Sequence, residues 1–412
     1  MRVHRLAFVV LLLASLAVSA QPATVDTVTV VEYSGREQTG VLQQLTETEL
    51  TIAGESPKRF DLSGLMSMRF GERVVVARQR GPLVLLAGGD RLFLQPATLD
   101  EDDLVGIWRD FPAWSRLKIP LEQIQAIAFQ LPDDAPTRHR LVAALLEFGE
   151  KRDVVIFRNG DRLGGRLVRL TADALVFEGP VGELAIPRNN IRALAFNSEL
   201  INAPKKTGQR VLLELSDGSR LTVRRVILAE PRLLEVETLF RAKLRVPTSA
   251  VLSMRFLGGR AVYLSDLQAA EFQFTPYLAT RWPLRLDRNV SGGPLRLNGR
   301  EYAKGLGMHS RSVVSYDLAG EFQQFRATVG IDDSAGGKGS VRFAVEVDGK
   351  RVFTSSLMTG ATKPATIGPF DVSGKKRLTL IVEFGELGDI LDHANWCDPV
   401  LIRQGTVERE RN

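Results

Sequence analysis

Three short segments gather the side chains best placed to do chemistry: Lys304-Gly-Leu-Gly-Met-His-Ser310, Val329-Gly-Ile-Asp-Asp333 and Asp392-His-Ala-Asn-Trp396. An imidazole at His309 either donates to a ligand hydroxyl or ties one loop to another. The indole of Trp396 either stacks on an incoming ring or is buried at a strand end. Asp332 stands where a strand enters a glycine-rich loop, and a carboxylate there caps the amides of the turn. Asp333 is more exposed by pattern and is the better contact for a ligand or ion. Asp392 and His393 brace the loop that carries Trp396. With Arg311 beside the first motif, the candidate binding set is His309, Arg311, Asp333, His393 and Trp396.

Catalytic chemistries are poorly represented. Glycoside hydrolysis needs two carboxylates across a cleft, and no motif singles out a pair among the Asp and Glu residues. A zinc hydrolase needs clustered His or Cys. Beyond the leader the chain has His139, His309 and His393, one cysteine and no HExxH motif. Neither a Gly-x-Ser-x-Gly elbow nor a phosphate-cradling Gly-x-x-x-x-Gly-Lys loop occurs. The expectation is a non-enzyme.

The elements that must position these residues are strands. Ser340-Val-Arg-Phe-Ala-Val-Glu-Val347 and Arg377-Leu-Thr-Leu-Ile-Val-Glu-Phe384 alternate apolar and polar residues, and Val347-Asp-Gly-Lys350 reads as a hairpin turn. Two sheets of such strands stack about 10 Å apart into a sandwich. From about Tyr263 to Gln404 the motifs, in this order, resemble the NPCBM family of carbohydrate-binding modules, often attached to glycoside hydrolases. The matching residues are Gly305, Gly307, His309, Ser310, Gly330, Asp332, Asp333, Gly349, Asp392, His393 and Trp396. The resemblance implies a galactose-binding-like jelly roll that holds carbohydrate in loops at one end. It also implies a structural Ca2+, for which Asp333, Asp389 and Asp392 offer side-chain oxygens, although the spaced Asp/Asn ladder of a dedicated calcium loop is missing.

Upstream, one pattern recurs. It closes each time on a phenylalanine, as in Leu65-Met-Ser-Met-Arg-Phe70, Ile124-Gln-Ala-Ile-Ala-Phe129, Ile191-Arg-Ala-Leu-Ala-Phe196 and Val251-Leu-Ser-Met-Arg-Phe256, at intervals of 59, 67 and 60 residues. Polar turns open the copies: Ser34-Gly-Arg36, Gly88-Gly-Asp-Arg91, Asn159-Gly-Asp-Arg162 and Asp217-Gly-Ser-Arg220. Five short strands per copy can curl into a small barrel, and the shape resembles SH3-like or Sm-like barrels. The sequence leaves open whether the copies stand as beads or pack in pairs. Thr137 to Glu150 reads as a short helix or an extra strand. Trp108 and Trp114, on the insertion that follows Asp100-Glu-Asp-Asp103, either form a stacking platform or pack under the second copy.

Arg2, His4 and Arg5, the 13-residue apolar run Leu6 to Val18 and the small residues ending at Ala20 read as a secretory signal peptide, too short to span a bilayer as a helix. Losing Arg2 and Arg5 lowers the formal charge from +6 to +4, a spread-out excess that is no nucleic-acid footprint. Cys397 stands alone, so no intrachain disulfide forms.

The expected architecture is therefore all-β: leader 1–20, barrel units 21–75, 76–135, 152–198 and 209–258, a connector 136–151, a linker 199–208, the sandwich 263–404 and a tail 405–412. The expected function is an exported, non-catalytic glycan-binding protein, secreted or held in the cell envelope, without a membrane span once the leader is removed. A cell-envelope scaffold that binds proteins through its repeats is the alternative.

Overall fold

The computed structural model describes residues 26–54, 56–73, 82–108, 116–205, 207–386 and 388–404; the leader, Trp114 and the tail lie outside them. Residues 26–257 form four five-stranded antiparallel units. In the first, Thr27–Glu32 pairs with both Glu37–Leu45 and Leu65–Phe70, and the sheet continues through Glu49–Ala53 to Lys58–Asp61. A 3-10 turn, Leu62–Gly64, leads into the fifth strand. The other units repeat this order, with 3-10 turns at Leu121–Gln123, Arg188–Asn190 and Thr248–Ala250. The long second strand slips register at corresponding places in all four, between Leu42 and Gln44, Gln95 and Thr98, Leu167 and Arg169, and Val223 and Arg225. A bulge there bends the strand, so one sheet can wrap its own apolar face.

The units pack in pairs through their fifth strands. Leu65–Phe70 runs beside Val251–Leu257, joining the first unit to the fourth, and Ile124–Ala128 runs beside Ile191–Ala195, joining the second to the third. Each shared ladder gives an edge strand a partner, which removes unpaired backbone groups from solvent. The second and fourth units are locked by their turn aspartates. Asp90 accepts from the Thr222 amide and hydroxyl at 2.7 and 2.8 Å, and Asp217 accepts from Trp108 Nε1 at 2.6 Å. Trp108 is buried, so it packs between units and offers no stacking platform. One contiguous apolar core runs through all four units.

The stretch around Thr137 is a helix, Ala135–Leu146, with Asp134 capping the Thr137 amide at 2.9 Å and Pro136 in the first turn. Among the described residues no helix is long and apolar enough to cross a membrane.

The C-terminal region is a β-sandwich. One sheet runs Arg285–Leu286, Gly305–Met308, Ala394–Arg403, Phe322–Ile331, Ala365–Asp371, with Ala261–Tyr263 also on Ala394–Arg403. The other runs Glu271–Phe274, Ser312–Asp317, Arg377–Phe384, Ser340–Val347, Lys350–Thr354, with Met358–Thr359 also on Ser340–Val347. Between them lie Leu306, Phe325, Val329, Phe343, Leu380 and Trp396, each at most 1% exposed. The back of the first sheet is covered as well. Val400, Ile402, Ala261 and Tyr263 pack against Met66, Leu212 and Leu257 of the first and fourth units.

Charged groups frame this seam. Arg255 reaches Asp398 at 2.9 Å and the Tyr263 hydroxyl at 3.0 Å, and Glu301 accepts from Arg220, Arg91 and Arg296 at 2.9, 3.1 and 3.2 Å. Those cations outweigh burial and hold the Glu301 carboxyl down at about 2, against an ordinary 4.5. A depressed carboxyl contributes stability that is present in full above about 4.5 and fades as pH falls toward 2. Thermal unfolding followed from pH 5 to pH 2.5 should show this loss, and Glu301→Gln should remove that part of the pH dependence while lowering the melting temperature at pH 7.

Candidate functional site

At one end of the sandwich the chain crosses between layers. Gly305–Met308 belongs to the first sheet and Ser312–Asp317 to the second, so His309, Ser310 and Arg311 sit in the crossing. Phe274 ends the strand paired to Ser312, and His393 immediately precedes Ala394–Arg403. Gly307 is required here by space: a Cβ would meet the Arg288 carbonyl oxygen at 2.3 Å.

The rings of this end form one cluster centred on Trp282. Its indole lies flat on His309, with centroids 4.6 Å apart and 9° between planes, and meets His393 edge-on at 6.0 Å. The two imidazoles are 6.0 Å apart, and Phe274 packs edge-on against His309 at 6.4 Å. His309 and His393 are buried, whereas Trp282 is half-buried. His309 Nδ1 contacts the Ser310 carbonyl at 3.2 Å, and His393 Nδ1 contacts the Ser334 hydroxyl at 3.0 Å. Burial is the main force lowering both histidines' affinity for a proton, with His309 adding to the effect on His393. Both rings are therefore neutral at pH 7, as close packing under an indole demands. Arg311, in the same crossing, donates from Nε to Glu383 at 2.7 Å; Tyr277, Leu278 and Ile390 are exposed, and Tyr277 meets Phe384 edge-on at 5.5 Å.

The loops are braced by buried carboxylates. Asp332 Oδ1 accepts from Asn289 Nδ2 and the Ser334 amide, both at 2.9 Å; Oδ2 accepts from the Arg296 amide at 2.9 Å and Asn395 Nδ2 at 2.5 Å. Asp392 accepts from the Ser310 hydroxyl and, at 2.7 Å, from the Ser340 amide. Its burial raises the carboxyl's pKa, with the charge of Asp389 adding to the rise and the two hydrogen bonds opposing it.

The predicted site residues separate into groups. His309, Arg311 and His393 share this end of the sandwich. Asp333 does not join them: its oxygens accept from the Asn298 and Gly299 amides at 2.8 Å, tying down the hairpin Leu295–Leu297/Arg300–Tyr302. Trp396 is wholly buried and meets Phe343 edge-on at 5.2 Å, so it is core and not a stacking surface. Asp333 and Asp392 spend both carboxylate oxygens on backbone or hydroxyl donors in different loops, so Asp333, Asp389 and Asp392 form no cation cage. Among the described residues no group of three or more His, Cys, Asp or Glu could hold a metal ion. The proposed Ca2+ does not fit these residues. Trp282 went unnoticed in the sequence; the available signal was an aromatic in Thr275-Pro-Tyr-Leu-Ala-Thr-Arg-Trp-Pro283, a stretch without strand alternation.

Residues 260–402 match the model of the NPCBM/NEW2 domain. A protein of Renibacterium salmoninarum that carries an endo-alpha-N-acetylgalactosaminidase name is 41% identical over 140 residues, 32% of this chain and 9% of that one. An alpha-1,3-galactosidase B of Akkermansia muciniphila is 33% identical over 118 residues, 28% of this chain and 15% of that one. The chain thus matches only a small fraction of the length of these curated relatives. Among solved structures, the CBM51 module from Clostridium perfringens GH95, in complex with methyl-galactose, is 31% identical and covers 34% of this chain and 99% of its own, with a TM-score of 0.32.

Two tryptophans should behave oppositely. Trp396→Ala should destabilise the sandwich by about 3–5 kcal/mol in denaturant unfolding, the cost of emptying a packed core site. Trp282→Ala, which empties a half-exposed position, should change stability far less. Because the unfolded chain protonates its histidines near pH 6.5 while the folded rings resist, stability should fall as pH drops below about 6.5. The double variant His309→Asn, His393→Asn should reduce that slope, leaving the part due to His139, whose proton affinity burial also lowers.

Proposed function

With an NPCBM/NEW2 domain at residues 260–402 as the premise, we propose that this is an exported, non-catalytic carbohydrate-binding protein whose ligand rests on Trp282. The observation that carries the proposal is the flat stack of Trp282 on His309, backed by His393 and Phe274. An aromatic held in a fixed plane with part of its surface accessible suits the C–H face of a pyranose. The buried imidazoles position the indole, and Arg311 with Glu383 supplies charged hydrogen-bonding groups for sugar hydroxyls at the rim. The exposed Tyr277, Leu278 and Ile390 extend the surface toward a second residue of a longer chain. The sequence-based absence of catalytic motifs and the leader-like first 20 residues support the non-catalytic and exported parts of the reading.

The full-length chain on a glycan array should show saturable binding, with Kd between micromolar and millimolar, about −8 to −4 kcal/mol. Trp282→Ala should abolish it, and His309→Ala should weaken it about tenfold or more by freeing the indole. Trp396→Phe, a core change, should leave the specificity profile unaltered. Silence across the array from a folded protein would sink the proposal and favour the adaptor role of the repeats.

A further inference from the structure

Helix Ala135–Leu146, the opening hairpin of the second unit, Arg220 of the fourth unit and the sandwich turn Asn289–Pro294 enclose a cavity. Its apolar walls include Leu83, Leu85, Phe93 and Val142. The turn closes one side by close approach: a Cβ on Gly292 would stand 2.8 Å from the Ala143 methyl, and one on Gly293 3.4 Å from His139 Nδ1.

Five arginines line this space, Arg91, Arg138, Arg220, Arg288 and Arg296, against two carboxylates, Asp287 and Glu301. The carboxylates do not balance them. Asp287 is spent on Lys304 Nζ at 2.6 Å and the Gly305 amide at 3.0 Å. Glu301 is shared among Arg91, Arg220 and Arg296, and behind the lining Glu214 takes a second bond from Arg220 at 3.0 Å, which leaves Arg138 and Arg288 as the arginines without a carboxylate in contact among the described residues. Arg138 turns to the carbonyls of Pro132 and Asp133, which carry no net charge. Arg288 makes no side-chain hydrogen bond or ion pair among the described residues, and burial lowers its pKa, with Arg285 adding to the fall and Glu147 and Asp287 opposing it. His139, half-buried on the same wall, senses the excess: after burial, Arg296, Arg138 and Arg91 are the groups that lower its proton affinity most.

A low-dielectric cavity with uncompensated guanidinium groups repels itself unless an anion enters. We infer that this cavity binds a compact oxyanion, a sulfate, phosphate or carboxylate group, with Arg288 and Arg138 as its principal donors. Planar guanidinium forks match such oxygens two at a time, which an ammonium does not. The inference goes beyond the glycan reading and does not rest on it. An ion there joins three parts of the molecule at once: the second unit, the connecting helix and the sandwich.

Isothermal titration of the full chain at constant ionic strength should show one saturable site for sodium sulfate or phosphate, or for acetate. Arg288→Gln should weaken it at least tenfold, Arg288→Lys less, and Trp282→Ala not at all. Among the described residues Arg288 has no hydrogen bond or ion pair to lose, so in anion-free buffer Arg288→Lys should keep the wild-type melting temperature and Arg288→Gln, which relieves repulsion, should not lower it. Galactose 6-sulfate and glucuronate separate the sources: tighter binding than the free ion assigns a charged saccharide, equal binding assigns the ion itself, and both uphold the site. No saturable heat up to about 50 mM anion, or binding that survives both Arg288→Gln and Arg138→Gln, would overturn it.

Discussion

The sandwich depends on one buried carboxylate. Asp332 is 2% exposed, and four donors from four separate places in the chain converge on its two oxygens. A carboxylate taken from water is tolerable only when its lone pairs are filled, and losing any one donor leaves the others holding an under-satisfied charge. The Asp332 amide also donates to the His393 carbonyl at 2.7 Å, and Ser334, which Asp332 caps, contacts His393 Nδ1. The residue that looks like a turn former thus fixes the height of one imidazole beneath Trp282. Through Asn289 it also fixes the turn that walls the arginine-lined cavity. Two candidate sites share one anchor.

Much of the scaffold was legible because strands advertise themselves by period two. The alternation of Ser340–Val347 and Arg377–Phe384 matches burial on one face, and the recurring Phe closures mark the fifth strands of all four units. The capping role of Asp332 followed from local chemistry alone. The pairing of units did not. Nothing in Leu65–Phe70 says that its partner is Val251–Leu257, since the contact joins the first and last copies and skips two between them. The helix over Ala135–Leu146 was ambiguous for the opposite reason. Its apolar residues fit either period over so short a span, and the Asp134 cap with Pro136 decides it.

The site was the least legible part, and the errors have a common physical source. Trp396 lies in Ala394–Arg403, a strand buried on both faces because one side meets the opposing sheet and the other meets the repeats. A strand covered twice loses its alternation, so the sequence gives no sign of which side a tryptophan takes. The apolar run Val400-Leu-Ile402 was the available warning. Trp282 is the converse case. It comes from an irregular segment, reaches the cluster only through tertiary contact, and has no periodic neighbours to identify it.

That double coverage also determines how the module works within the chain. Tyr263 and Ile402 are buried against Met66, Leu212 and Leu257, while Arg255 and Glu301 fasten the rim of the same seam. A sandwich cut away at residue 260 would present Tyr263, Val400 and Ile402 to water and strand Glu301 and Asp398 without Arg91, Arg220 and Arg255, their partners across the seam. The repeats are therefore no loose spacer: they complete a sheet face that the module leaves apolar. Residues 257–261 pass straight from the last repeat strand into the first strand of the sandwich with two glycines between, too little chain for the two bodies to swing apart without breaking that face. A ligand at Trp282 would be held at a fixed orientation to the four units, and an anion at Arg288 would tighten the same joint.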